Sequence, residues 1–178
     1  MKYSTLFAAA LAAAVLASPA TETRADDREM IHANTERALH WLRTSDRDTA
    51  KLLDSAAGVL VFPDIVKMGF GAGGEFGEGS LLVDGEIVDY YATAGTTFGM
   101  GPESEYKAEV IFFMTEEALQ AFRAQRSVKV GEHVTVPLAG SGRDALDADH
   151  PHVGMVFSQD GHVTHLEMKG DRITRIVR

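Results

Sequence analysis

Gly69-Phe70-Gly71-Ala72-Gly73-Gly74-Glu75-Phe76-Gly77-Glu78-Gly79 is the stretch whose reading decides the fold. In an extended chain, side chains alternate between two faces. Gly69, Gly71, Gly73, Glu75, Gly77 and Gly79 then share one face, and Phe70, Ala72, Gly74, Phe76 and Glu78 share the other. A nearly bare face costs strand stability, because glycine loses more entropy on folding than other residues and packs nothing. Such a face persists where a helix, a sharply coiled sheet or a ligand must lie close against the backbone.

Working outward, β-structure dominates on both sides. Val59–Phe62 reads as a short apolar strand broken by Pro63-Asp64, and Val66–Val83 as one strand containing the glycines. Asp84-Gly85 signals a hairpin turn, with Ile87–Thr93 running back and Ala94–Gly101 a further glycine-spaced segment. Tyr106–Met114 reads as a buried strand. Thr115 caps a helix over Glu116–Gln125 that turns Ala118, Leu119 and Phe122 inward. His133–Leu138 alternates as a strand, and Ser141–Pro151 is a polar loop. Val153–Ser158 and His162–Met168 form a hairpin about Asp160-Gly161, and Ile173–Val177 closes the sheet.

Ahead of the strands, Arg28–Arg43 has helical spacing, with Ile31, Ala38, Trp41 and Leu42 on one side. Ser45 and Asp48 resemble a capping box opening a second helix to about Ala57, its inner side Ala50, Leu53 and Ala57, ended by Gly58. The expected fold class is α+β: N-terminal amphipathic helices packed on a strongly bent, mostly antiparallel, barrel-like sheet with one inserted helix. The bare glycine face would admit a helix at close range.

Lys2, the apolar run Leu6–Ala17 and Ser18-Pro19-Ala20 read as a secretory signal cleaved after Ala20, with Ala25 a second candidate site. The run is too short to span a bilayer. The domain reading is therefore a signal peptide over 1–20, a linker over 21–27 and a single domain over 28–178. The absence of cysteine removes disulfides, thiolate chemistry and lipoprotein attachment, so an ordinary core must hold the domain together. A bacterial periplasm or envelope is the expected location, with the protein soluble or peripherally membrane-associated. The formal charge is −9, and loss of Lys2 makes it −10. That balance argues against nucleic acid as a partner, and against purely electrostatic docking on anionic membranes.

Few motifs carry chemistry. Gly69-x-Gly71-x-x-Gly74 copies a dinucleotide fingerprint, but no helix start follows it. No cofactor is expected, and no nucleophile elbow or zinc-protease motif occurs, so the chain reads as non-enzymatic. Asp147, Asp149, His150 and His152 are the candidate metal ligands; the plainer reading is a polar loop without a metal. His162 and His165 fall on opposite strand faces. Glu75 and Glu78 also point apart, so they form no acid–base couple. Glu75, alone among glycines, is either a functional acid or, more simply, a buried charge paired with an arginine from a helix. Lys169, Arg172, Arg175 and Arg178 concentrate positive charge at the C-terminus, as a head-group contact or a solvated edge.

The segments Ala57–Pro63, Val66–Gly79, Tyr91–Gly95, Phe112–Thr115, Glu117–Leu119 with Phe122, and Val156–Ser158 with Gly161 resemble, in order and spacing, the SYLF family of lipid-binding domains. The resemblance implies phospholipid association through an N-terminal amphipathic helix, here Arg28–Arg43, which departs from the family pattern by mixing acids among its bases. With the aromatic and basic residues of that helix, it gives a lipid-binding set of Ile31, Arg37, Trp41, Leu42, Arg43 and Lys67. The partner would be a phospholipid or membrane surface. The alternatives are a metal- or small-ligand-binding protein using the Asp147–His152 loop, or a structural envelope protein acting through protein partners.

Overall fold

The structure is a computed structural model that describes residues 22–45, 47–68, 71–99, 106–133, 136, 151–158, 161–162 and 170–178. It is of mixed α+β class. Helices α1 (Glu22–Ser45) and α2 (Arg47–Ser55) lead into strands β1 (Gly58–Met68), β2 (Gly71–Val83), β3 (Glu86–Gly99) and β4 (Tyr106–Phe113). Helix α3 (Glu116–Arg123) follows, then β5 (Ser127–Lys129), β6 (His152–Ser158), β7 (Gly161–His162) and β8 (Arg172–Ile176). The strands form one sheet in the order β5-β8-β3-β2-β1-β4-β6-β7, with every pairing antiparallel.

Two apolar clusters sandwich the sheet. One gathers Val128, Ile173, Tyr91, Leu81, Leu60, Ile111 and Val156, one from every strand but β7, beneath Ala118, Leu119 and Phe122 of α3. Strands from both edges can share one cluster only if the sheet curls, so this is the concave side. The other cluster joins Ala38, Leu39 and Leu42 of α1 and Leu52 of α2 to Val59, Val61, Val110, Phe112 and Met155. Alternation along β4 assigns the sides: Lys107, Glu109, Ile111 and Phe113 face inward, and Ala108, Val110 and Phe112 face α1 and α2.

Several local expectations change. α1 begins at Glu22, inside the stretch read as linker; Glu22–Asp27 contains no Gly or Pro, and its acids suit a helix N-terminus. Ser45 does not open α2. Its hydroxyl donates back to Leu42 O at the end of α1. α2 stops at Ser55 and buries Thr49 and Leu52 most deeply, with Leu53 and Ala57 of the expected inner side partly buried against the core, and Gly58 starts β1. Pro63 does not end β1. Its ring removes an amide hydrogen, and the ladder skips there: the register jumps between Val61 and Asp64 on the β2 side, and between Phe62 and Ile65 on the β4 side. Val66–Met68 belongs to β1 and pairs back onto β2, so Val66–Val83 is not one strand. Gly69 and Phe70 lie outside the described residues. Ile87–Thr93 and Ala94–Gly99 are one strand, β3. His133 sits in a turn, and residues 134, 135, 137 and 138 of the expected strand lie outside the described residues; a further short strand, β5, precedes it, with Val128 and Val130 alternating inward.

Other features follow the sequence. Asp84 (φ 53°) and Gly85 (φ 82°) take the left-handed conformations of a tight hairpin turn. The Thr115 hydroxyl accepts from Ala118 N at 3.2 Å and caps α3. Glycine allows the close approach at β2, but what approaches is neither a helix nor a ligand. A Cβ at Gly79 would lie 2.0 Å from Val61 O, and one at Gly77 2.9 Å from Asp64 O. The bulged backbone of β1 folds over the bare face. α1 packs on the opposite face, where Thr35 and Ser80 share a hydrogen bond of 2.9 Å.

Candidate functional site

Toward the glycine end of the concave side, the apolar layer gives way to charge. Alternation that buries Leu81 and Tyr91 also turns Glu75 on β2 and Thr93 on β3 inward, and the same register on β4 brings in Lys107 and Glu109. Asp171, just before β8, joins them. All five are almost fully buried, from 0% exposed for Glu109 to 7% for Glu75.

Lys107 lies at the centre. Its Nζ donates to Glu109 Oε1 at 2.7 Å and is ion-paired with Glu75 Oε2 at 2.9 Å, poorly aligned for a hydrogen bond. Asp171 Oδ1 and Glu75 Oε1 meet over Gly95, where a Cβ would sit 2.0 and 3.0 Å from them. Gly95 is thus the glycine that makes room for side-chain chemistry. Glu109 Oε2, Asp171 Oδ2 and Thr93 Oγ1 have no hydrogen-bond partner.

The electrostatics follow from burial. Loss of water pushes Glu109 above the usual carboxylate range, and the Lys107 ammonium only partly opposes this. Burial, reinforced by the charges of Glu109 and Glu75, raises Asp171 to about 8. Burial works against the Lys107 charge too, but the two glutamates outweigh it and hold its pKa above the ordinary lysine value. One acid therefore keeps its proton at neutral pH beside an ion pair. The cluster can hold protons or a cation.

The expected site residues lie elsewhere. Ile31 and Leu42 are buried against the sheet, Leu42 completely. Trp41 is half-buried and stacks on Phe157, ring centroids 4.3 Å apart and planes 12° apart. The apolar side of α1 is therefore turned mainly to the sheet. Arg37, which donates to Asn34 Oδ1, and Arg43 are exposed. The side chain of Lys67 lies outside the described residues.

Of the metal candidates, Asp147, Asp149 and His150 lie outside the described residues. His152 is half-buried, edge-on to Phe113 at 5.5 Å, and its burial lowers its pKa. The side chain of His162 and all of His165 are also outside. Glu75 is a paired buried charge, as the simpler reading held, but its partner is Lys107 on a strand and not an arginine on a helix. Glu78 points away from it and pairs with Arg178. Arg175 meets Asp89 at 3.2 Å and Tyr91 Oη at 3.3 Å, so two of the C-terminal bases are tied to the protein.

Lys107, Glu109 and Asp171 escaped the sequence reading. A signal was present: Lys107-Ala108-Glu109-Val110-Ile111-Phe112-Phe113 puts two charges in phase with buried Ile111 and Phe113. No protein-family model matches the chain, and no curated protein matches it. Among the described residues, no helix is long and apolar enough to cross a membrane.

Proposed function

We propose that this chain is a non-enzymatic, exported envelope protein that associates peripherally with phospholipid, its N-terminal helices seated on a strongly bent, barrel-like sheet. The observation that carries the reading is the outer side of α1. Met30 is 62% exposed, Arg37 is exposed, and Trp41 is only half-buried. Their spacing returns each to the same side of a helix. An apolar residue, a guanidinium and an indole in one stripe suit the boundary between head groups and acyl chains. The similarity to SYLF domains supports the same reading.

The structure changes which residues do the work. Ile31 and Leu42 are buried, so in this reading Met30, Arg37 and Trp41 make the contact. Glu29 and Glu36 on the same helix offset the bases. Shallow apolar insertion therefore contributes more than charge, and binding changes little with salt.

The test is co-sedimentation of the purified protein with vesicles of phosphatidylethanolamine and phosphatidylglycerol. Met30→Glu and Arg37→Glu change exposed positions and are expected to move the protein to the supernatant with unchanged circular dichroism. Equal recovery of the unaltered protein with and without vesicles removes the reading. Undiminished pelleting of both variants removes the stripe as the contact.

A further inference from the structure

Three carboxylates and one ammonium share a space closed to water. If all four ionise, two negative charges stay uncompensated, which a low-dielectric interior does not tolerate without a counter-ion or bound protons. The hydrogen bonds of the cluster are incomplete as well. Glu109, fully buried, leaves Oε2 without a partner, and Asp171, 4% exposed, leaves Oδ2 without one. Thr93, 1% exposed and two residues from Gly95 on the same face of β3, adds an unpartnered hydroxyl that belongs to no carboxylate. Buried oxygens without donors are the groups that a bound cation satisfies.

The geometry narrows the ion. Glu75, Glu109 and Asp171 each offer an oxygen, all within 4.8 Å of one another. Calcium accepts flexible coordination at about 2.3–2.6 Å and suits carboxylates held in place by a core, whereas magnesium demands a near-ideal octahedron at about 2.0–2.1 Å and gives up its water reluctantly. The donor set is oxygen alone, without imidazole or thiolate, which selects a hard cation. The bare position at Gly95 allows Asp171 and Glu75 to converge.

We propose that Glu75, Glu109 and Asp171 bind one hard divalent cation of calcium size, with the Thr93 hydroxyl as an adjacent oxygen and Lys107 holding Glu75 and Glu109 in position. The site is separate from the α1 stripe and does not depend on the lipid reading. It also differs from the Asp147–His152 loop.

The experiment uses the purified full chain without a histidine tag, stripped with EDTA and dialysed. Calcium chloride and magnesium chloride are titrated in separate calorimetric runs, each paired with a thermal melt and with no lipid present. The expected result is one calcium per chain, a melting temperature raised by several degrees, and weaker binding of magnesium. Asp171→Asn and Glu109→Gln are each expected to weaken calcium binding at least tenfold. Glu109→Gln removes a partner of Lys107 and risks the fold; Asp171→Asn removes surplus negative charge and decides the matter if the other variant does not fold. A combined Asp147→Asn, Asp149→Asn, His150→Gln variant is expected to bind as before. The proposal is overturned by the absence of heat and of any melting shift with calcium, by tighter binding of magnesium, by calcium affinity that survives Asp171→Asn, or by affinity lost in the loop variant.

Discussion

Replacing glycine by alanine at two positions of β2 should have opposite effects. Neither Gly74 nor Gly79 has a left-handed backbone, so alanine meets no conformational strain at either. At Gly79 the new Cβ would lie 2.0 Å from Val61 O and 2.8 Å from Val61 C and Phe62 Cδ1, where real contacts essentially never fall below 3.0 Å. The carbonyl and its strand must retreat by about 1 Å, pulling on the bulge at Pro63 and on buried Phe62. Overpacking of that kind against backbone costs about 3 kcal/mol or more. At Gly74 the nearest atom to the new Cβ is Gly95 O, at 3.7 Å, an ordinary contact, and the position is exposed. Removing glycine there should leave stability unchanged or raise it by up to about 1 kcal/mol. Urea unfolding followed by the single tryptophan and by circular dichroism gives the midpoint and slope for each variant. Equal midpoints for the two variants would refute the claim that the bare face exists to let β1 fold over it.

Three further outcomes follow from the same geometry. Lys107→Met leaves Glu75 and Glu109 buried without their cation and should cost about 3–5 kcal/mol in urea unfolding at neutral pH; a loss below about 1 kcal/mol would mean the carboxylates are already neutral or reached by water. Asp171 has its pKa raised from 3.8 to about 8 on folding, so in EDTA the folded state holds the extra proton, and this contribution is lost as pH rises through that window. The stability of the unaltered protein relative to Asp171→Asn should therefore fall between pH 4 and pH 8, roughly the span between those two values, and level off above it; a rise over that range contradicts the assignment. Thr115→Ala removes the cap of α3 and should cost about 1 kcal/mol, read from the same unfolding curves, with Thr115→Ser restoring most of it.

What the sequence revealed, and what it hid, divides along physical lines. Short-range chemistry was legible: Asp84-Gly85 can hardly avoid a tight turn, Thr115 before Glu116-Glu117 caps a helix, and the apolar run of β4 can only be buried. Pro63 misled because its meaning depends on the neighbouring strands. Without an amide it ends a regular ladder, yet it sits comfortably at a bulge, and only the pairing reveals which. The glycines announced a close approach without naming the partner. At Gly77 and Gly79 it is β1, and at Gly95 it is the Asp171 carboxylate, which arrives from a distant part of the chain. The buried cluster stayed hidden for the same reason. Lys107 and Glu109 are adjacent on one strand face, but Glu75 and Asp171 reach them only through the order β8-β3-β2-β1-β4. Asp171 in particular follows Lys169-Gly170, which reads as a solvated turn. Trp41 on an amphipathic helix is ambiguous between membrane and core, and stacking on Phe157 leaves it half-buried between the two.

The strand order also bears on synthesis. β1, β2 and β3 neighbour one another through short connections, and β4 then adds to the free edge of β1, so the middle of the sheet can assemble while later parts of the chain are still being made. The outer edge of β3 must wait, because its partner β8 comes only after β4, α3, β5, β6 and β7 in the chain. Until β8 has been made, a long row of unsatisfied amides and carbonyls lies open to any passing strand. A nascent chain built in this order is exposed to wrong strand pairing along β3 until β8 arrives.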